Sequence, residues 1–472
     1  MTANLIQQKR CFPIAALAFS LTLVGCAAKV STPYQNPAVD IPTTFQQQKS
    51  SNKNLTLKQE QLDRWWTLFG DTQLNQLVQQ VLEKNSNLAV AGITLQKARL
   101  QAGLSKDQQG LRQNASISTG HSYDFASNSD SSSGLSVNAG VSYELDLFGK
   151  LSKQTEASQW EAIATEQDLQ ATAQSLIGNT VNLYWQLAYL HERQHYAQQN
   201  LATSQKLLNL VKVQYKAGAV SGIELTQAEQ ALQSQKASVS QIQQQLVETR
   251  TALAVLLHQS VQQLQLQEPK KLGQIQLPNI AAGLPAELLA RRPDLQAAEY
   301  RLRKVLANKD ATKASYYPSI SLTGNLGSKS VSLVQLIQNP VLALGASVNL
   351  PFLQVNDMKK NLAISDLDYE KAIIEYRQTL YQAFADVENA LSARTQLNQQ
   401  VDFQKKNLDL AQKSQRLTEV RYKHGEIALK NVLDAQQTTR SAYLSWLQTK
   451  QSQYQAYVTL LQALGGSPIQ SQ

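Results

Sequence analysis

One stretch of this sequence has the residue types and spacing of a catalytic motif, His191-Glu192-Arg193-Gln194-His195. On a helix two histidines four apart share a face and could ligate zinc, with the glutamate as general base for a bound water. Such a site needs a third ligand and a cleft. Six residues past the second histidine, where one class of zinc peptidases places another, stands Leu201. The five histidines of the chain cluster nowhere else. Carboxylates such as Asp366 and Asp368 fall on a long helical pattern and read as a solvated face, and Gly-rich phosphate loops are missing. The reading is no enzyme, no metal and no cofactor, with the histidine pair as surface polar residues of a coiled coil. A zinc peptidase remains an alternative that metal analysis would test.

The two cysteines carry a different chemistry. Lys9 and Arg10 precede a largely apolar run of 11 residues from Ile14 to Val24, too short to span a bilayer, as in an export signal. The run closes in Leu23-Val24-Gly25-Cys26, small residues before a cysteine that resemble a bacterial lipobox. Residues 1–25 are then a lipoprotein signal peptide and Cys26 the acylated N-terminus. Cys11 leaves with the signal, so disulfides and cysteine-held metals are excluded. The absence of Asp at Ala27 resembles sorting to the outer membrane. No apolar run of 18 or more follows, so any passage through a membrane must use strands or a partner. Formal charge is +9, or +7 without Lys9 and Arg10, and it is scattered; no basic stripe with interleaved aromatics marks a nucleic-acid partner. Charged residues are 17% of the chain, against about 25% in ordinary soluble domains, and the balance is made up by residues suited to long helices with hydrogen-bonding faces.

The elements that must position these residues come in two copies. At an offset near 207, Asn87-Leu88-Ala89-Val90-Ala91 matches Asp294-Leu295-Gln296-Ala297-Ala298, Ser116-Ile117-Ser118 matches Ser319-Ile320-Ser321, and Tyr215-Lys216-Ala217-Gly218 matches Tyr422-Lys423-His424-Gly425. Each copy reads as helix, two strands, long helix, turn, helix. The first repeat covers 87–257, with strands at 115–125 and 135–147, a long helix at 151–216 and a helix at 221–257. The second covers 294–464, with strands at 319–328 and 341–350, a long helix at 357–423 and a helix at 426–464. Segments 26–86 and 258–293 and the tail 465–472 lie outside the two copies. From Leu135 to Leu147 every odd position is apolar and every even one polar or Gly. Strands of about 10 residues with this alternation fit a membrane barrel with lipid outside and a polar lumen. The 66 residues from Leu151 to Lys216 lack Pro and keep apolar or small residues at 3/4 spacing, a rod of about 100 Å. Four strands cannot close a membrane barrel, whose minimum is about eight, so the functional unit must be an oligomer. Spacing alone leaves dimer, trimer and tetramer open.

Trp65-Trp66-Thr67-Leu68-Phe69-Gly70-Asp71, Glu144-Leu145-Asp146-Leu147-Phe148-Gly149-Lys150, Arg291-Arg292-Pro293-Asp294-Leu295 and Tyr317-Pro318-Ser319-Ile320-Ser321-Leu322-Thr323-Gly324 resemble the signatures of the TolC-like outer-membrane efflux channels. With the lipobox, they resemble the lipoprotein branch serving resistance-nodulation-division (RND) pumps. The resemblance covers nearly the whole mature chain. It implies a homotrimer with a 12-stranded outer-membrane β-barrel and a 12-helix periplasmic tunnel, docked to a periplasmic adaptor protein and an inner-membrane RND transporter. It also implies that segments 26–86 and 258–293 are equatorial. Such a channel is lipid-anchored in the cell outer membrane, extends into the periplasm, and is a passive duct for drugs or other toxic small molecules. Leu350-Pro351-Phe352-Leu353-Gln354 departs from the Gly-rich turn of many relatives and loosens the start of the following helix. Adaptor contact is expected at the two turns, around Tyr215, Gly218, Tyr422 and Gly425. The resemblance also implies a periplasmic gate before the second turn, with Asp409, Arg416, Leu417 and Glu419 as candidates and Arg416 and Glu419 spaced to pair along the helix. A type I protein secretion channel, or a coiled-coil lipoprotein without a pore, are the alternatives.

Overall fold

A computed structural model describes residues 29–39, 44–46, 55–56, 59–124, 129–272, 277, 280–281, 291–330, 340–466 and 468–469. The leader and Cys26 lie outside them, as do residues 125–128, whereas the serines that follow belong to a strand that begins at Ser129, ahead of the expected 135. The main helices are α1 (Thr72–Lys84), α2 (Ser86–Asp107), α3 (Lys150–Lys216), α4 (Gly222–Leu256), α5 (Pro293–Ala314), α6 (Val355–Lys423) and α7 (Leu429–Ala463). The strands are β1 (Leu55–Thr56), β2 (Arg112–Asp124), β3 (Ser129–Leu145), β4 (Ile280–Ala281), β5 (Ser319–Ser330) and β6 (Val341–Asn349). No described helix is long and apolar enough to cross a membrane. The chain packs into two compact units that cut across the sequence repeats: residues 1–38, 95–165 and 298–377 in one, and 39–94, 166–297 and 378–472 in the other.

The first unit contains the large sheet, in the order β2-β3-β5-β6 and antiparallel throughout. Register aligns the apolar positions in rows, as in Ala115↔Ala139↔Leu326↔Leu342. The polar row Ser116↔Asn138↔Gly327 lies beside it on the opposite face. Strand β3 stops at Leu145, not at the expected 147, because Asp146 leaves the ladder to cap α3: its carboxylate accepts from Leu151 N–H at 3.0 Å and Ser152 N–H at 2.8 Å. Helix α2 ends at Asp107, and β2 begins at Arg112, which pairs with Ser142, ahead of the expected 115. Phe148 stacks on Tyr317, ring centroids 4.7 Å apart, joining the end of one repeat's strands to the start of the other's. The Glu144–Lys150 and Tyr317–Ser319 motifs are therefore the corner at which helices meet the sheet.

The second unit has an aromatic centre built on the Trp65–Asp71 motif. Residues Trp65–Phe69 form a turn of 3₁₀-helix that ends in left-handed Gly70, and Asp71 then caps α1 by accepting from Gln73 and Leu74 N–H. The other Asp71 oxygen accepts from the buried Tyr184 hydroxyl at 2.8 Å. Trp65 packs edge-on against Trp66 and Phe69, Phe69 against Trp185, and Trp185 against Tyr454. Arg292 at the start of α5 is held by both oxygens of Asp294, at 3.0 and 2.6 Å, and by Asp386 at 3.2 Å. Around this centre the helices are joined by amides. Gln451 donates to Gln186 and accepts from Gln448, Gln453 donates to Asn398, and Gln170 both donates to and accepts from the Ile469 backbone.

The His191–His195 segment lies in α3 and points its groups at three separate partners. His191 Nε2 donates to Glu268 at 2.5 Å, Glu192 accepts from Leu272 N–H at 3.1 Å, and His195 faces Gln199 within its own helix. Among the described residues no group of three His, Cys, Asp or Glu could hold a metal ion. The segment instead straps residues 268–272 down: Arg250 donates twice to Glu268, at 2.5 and 2.7 Å, and Lys450 donates to Leu272 C=O at 2.9 Å. Burial pushes the Glu268 carboxyl up, but hydrogen bonds from Arg250 and His191, with their positive charge, outweigh it and lower it from 4.5 to about 2. A carboxyl depressed on folding stabilises the fold above its unfolded value and loses that contribution as pH falls through its folded one. Glu268→Gln should therefore lower the thermal unfolding midpoint at pH 7, by the equivalent of up to about 3 kcal/mol. The gap from the parent should narrow as pH falls from 4.5 toward 2. A gap that stayed constant over that window would show that the carboxylate does not hold the strap.

Candidate functional site

The sheet is a wall without closure. Among the described residues β2 and β6 each pair on one side only, so each leaves a row of N–H and C=O groups open. Its apolar face is uncovered: Ile117 is 74% exposed, Leu342 68% and Leu344 80%. The opposite face presents Asn114, Ser116, Ser118, Ser136, Asn138, Ser142, Ser321, Thr323 and Asn325, small, hydrogen-bonding and uncharged, with Arg112 and Glu144 in the same rows at the end nearest the helices. Ser118 and Ser136 hydroxyls bond across the strands at 2.7 Å. A surface with one greasy and one wet face is stable where hydrocarbon meets the first and water the second, provided that the edges pair with further strands.

The two helical reversals are built alike. Gly218 and Gly425 have φ of 74° and 76°, the left-handed region that only glycine enters without strain. At the first, Gly218 N–H donates to Tyr215 C=O and Ala219 N–H to Gln214 C=O; at the second, Gly425 N–H donates to Tyr422 C=O and Glu426 N–H to Arg421 C=O. Each set is a Schellman closure. The restarts differ. Ser221 and Glu224 form a reciprocal capping box on α4, whereas Ala428 offers α7 no side-chain cap, and α7 begins at Leu429 in place of the expected 426. The two tyrosines also differ, which their matched sequence positions conceal. Tyr215 is 46% exposed, while Tyr422 donates its hydroxyl to Gln214 and packs against the small cluster of Leu208, Val211, Ala228, Leu232 and Leu429. The reversals therefore support each other.

The candidate gate residues lie on α6 as four separate side chains. Asp409 accepts from Lys405, one turn back, at 2.9 Å. Glu419 accepts from Gln415 at 2.8 Å and from Gln436 of α7 at 3.4 Å, so the expected Arg416–Glu419 pair is not formed. Gln415 sits a full turn behind Glu419 on the same helix face, and α7 supplies the second donor, so the carboxylate is satisfied without Arg416. Leu417 is 59% exposed and ends a row with Phe403 (64%) and Leu410 (68%) at spacings of seven. The sequence reading missed this row, and its heptad period was the signal that could have found it.

Residues 77–258 and 284–466 match the family model described as outer membrane efflux protein, two blocks that each contain one of the internal repeats. Over 96% of its length the chain is 30% identical to the pyoverdine export outer membrane protein OpmQ of Pseudomonas putida, covering 97% of that protein. It is 27% identical to the cation efflux system protein CusC of Escherichia coli, over 95% of the chain and 97% of CusC. The solved open-state MtrE outer membrane channel of Neisseria gonorrhoeae superimposes with a TM-score of 0.80 at 29% identity, covering 93% of this chain and 99% of MtrE. With its strand face made for lipid, its paired helical reversals and both repeats matched, the chain belongs to the outer membrane efflux protein family and is an efflux channel of the outer membrane that extends into the periplasm.

Proposed function

We propose that the channel works as a homotrimer, a passive exit duct through which an inner-membrane RND transporter and a periplasmic adaptor deliver drugs or other toxic small molecules, anchored also through acylated Cys26. The open-edged, two-faced sheet carries this reading. Three copies would supply 12 strands, enough for a barrel in which no edge is left in lipid. The exposed Phe403–Leu410–Leu417 row supports association, since its spacing of seven is that of a coiled-coil seam. Transport energy comes from the partner, and the wall needs no catalytic group. The sheet's polar face is mostly small uncharged residues, with Arg112 and Glu144 at its helix-proximal end, which supports a broad cargo range, and the names of the relatives span pyoverdine and cations. Homologous architecture thus serves chemically unlike solutes, and selection falls to the transporter.

Adaptor contact is assigned to the two reversals. A Cβ added at Gly218 or Gly425 would meet no atom within 4 Å, so Val there distorts the backbone without creating a clash. Gly218→Val with Gly425→Val should abolish efflux in cells that hold the cognate adaptor and transporter, while trimer formation and conductance in planar bilayers persist. Full efflux from a folded trimeric double variant would remove the reversals as the contact. The gate is assigned to Asp409, Arg416, Leu417 and Glu419, since carboxylates gathered around a threefold axis need neutralising by a neighbouring chain's arginine. Triple replacement of Asp409, Arg416 and Glu419 by Ala should raise single-channel conductance, and an unchanged conductance with the trimer intact would exclude those three residues.

A further inference from the structure

The first residues described, three positions after Cys26, are pinned to the sheet-bearing unit. Val30 N–H donates to Phe148 C=O at 3.0 Å, just past the end of β3. Thr32 binds Asp310 of α5 with two donors, its N–H to Oδ2 and its hydroxyl to Oδ1, each at 2.7 Å. Tyr34 lies under the Arg303 guanidinium, whose Cζ is 4.5 Å from the ring centroid and which donates to Glu299 at 2.5 Å. Three successive anchors at alternate residues are more than a chain resting on a surface.

Asp310 shows why the attachment matters to the fold. Its side chain is only 1% exposed, and the nearest cation, Lys153 Nζ, stands 3.7 Å away and closer to Glu156, at 2.8 Å. A carboxylate withdrawn from water must be satisfied by donors, and Thr32 supplies two short ones. Detaching the segment would take both short donors from the carboxylate and leave it one distant, shared lysine. The carboxylate thus binds residues 29–34 as tightly as it needs solvating.

We infer that residues 29–34 are a docked strap, with Asp310 as the positioning residue that moors the acylated Cys26 on a short leash beside the end of β3. The leash is set by covalent geometry: the three peptide units from Cys26 to Lys29 extend about 11 Å at most. Anchor and wall then enter the membrane as one body, and the lipid does not trail on a free tether. The mooring rests on the acylation proposed above; the strap stands on its own contacts.

The test is limited trypsin digestion of the processed, full-length protein, following cleavage after Lys29 by mass spectrometry. A protease needs several residues of free backbone on both sides of the bond, so the pinned Val30–Tyr34 segment should protect it. Cleavage after Lys29 should be slow in the parent and should accelerate by about tenfold or more in Thr32→Val and Asp310→Asn, the effect of losing a hydrogen bond to a charged group. Thr32→Ser, which keeps both donors, should restore protection, and Thr32→Val carries the test if Asp310→Asn fails to assemble. Cys26→Ser should lose the acyl mass yet remain protected, since the strap's contacts do not involve the lipid. A parent cut after Lys29 as fast as Thr32→Val would overturn the strap. A protected parent whose N-terminal fragment carries no acyl mass would overturn the mooring and leave the strap standing.

Discussion

The backbone of a membrane-embedded strand has nowhere to put an unpaired N–H or C=O, and everything else in this chain follows from that constraint. Water cannot reach the edges of β2 and β6 inside a bilayer, so the sheet is viable only when other strands complete it. The large sheet has four strands because the chain is a duplication and each copy contributes two. Closure by identical copies lets a short sequence build a wide pore without encoding every strand. It also makes the protomer's open-edged sheet unstable in lipid by itself.

The helices meet a different demand, that of holding position beside water. Their ends are fixed by local devices: the Asp146 cap at the start of α3, the Ser221–Glu224 box on α4, and matched Schellman turns at Gly218 and Gly425. Each such device satisfies backbone groups within a few residues and is worth about 1 kcal/mol, enough to fix where a helix begins or stops. Burial is concentrated around Trp65, Phe69, Trp185 and Tyr454, whereas the sheet's apolar face and the Phe403–Leu417 row remain exposed for other partners.

Periodicity made much of this legible in the sequence. Odd-even alternation along 135–145 and 319–328, unbroken runs without proline along both long helices, and the Gly after each Tyr-Lys pair are local signals with local causes. The residues that escaped are those whose partners come from elsewhere. Nothing near Glu419 in sequence announces Gln436 from the next helix, and nothing near His191 announces Glu268, 77 residues away. Tyr215 and Tyr422 occupy equivalent repeat positions yet differ in burial, because the cluster that covers Tyr422 draws on both reversals. Strand and helix ends shifted where a side chain such as Asp146 was recruited to cap, a choice that hydrophobic patterning does not record. Cys26 was legible as chemistry and lies outside the described residues.

The amides that join the helices around the aromatic centre have a mechanical meaning. Glutamine carries a donor and an acceptor on one side chain, so Gln451, which gives to Gln186 and takes from Gln448, can exchange roles or partners without stranding a charge. An ion pair in the same place would resist displacement, since separating buried opposite charges costs several kcal/mol before a new partner is met. Rods that shift by a fraction of a turn trade one amide partner for another, so a small displacement of the wall strands no charge.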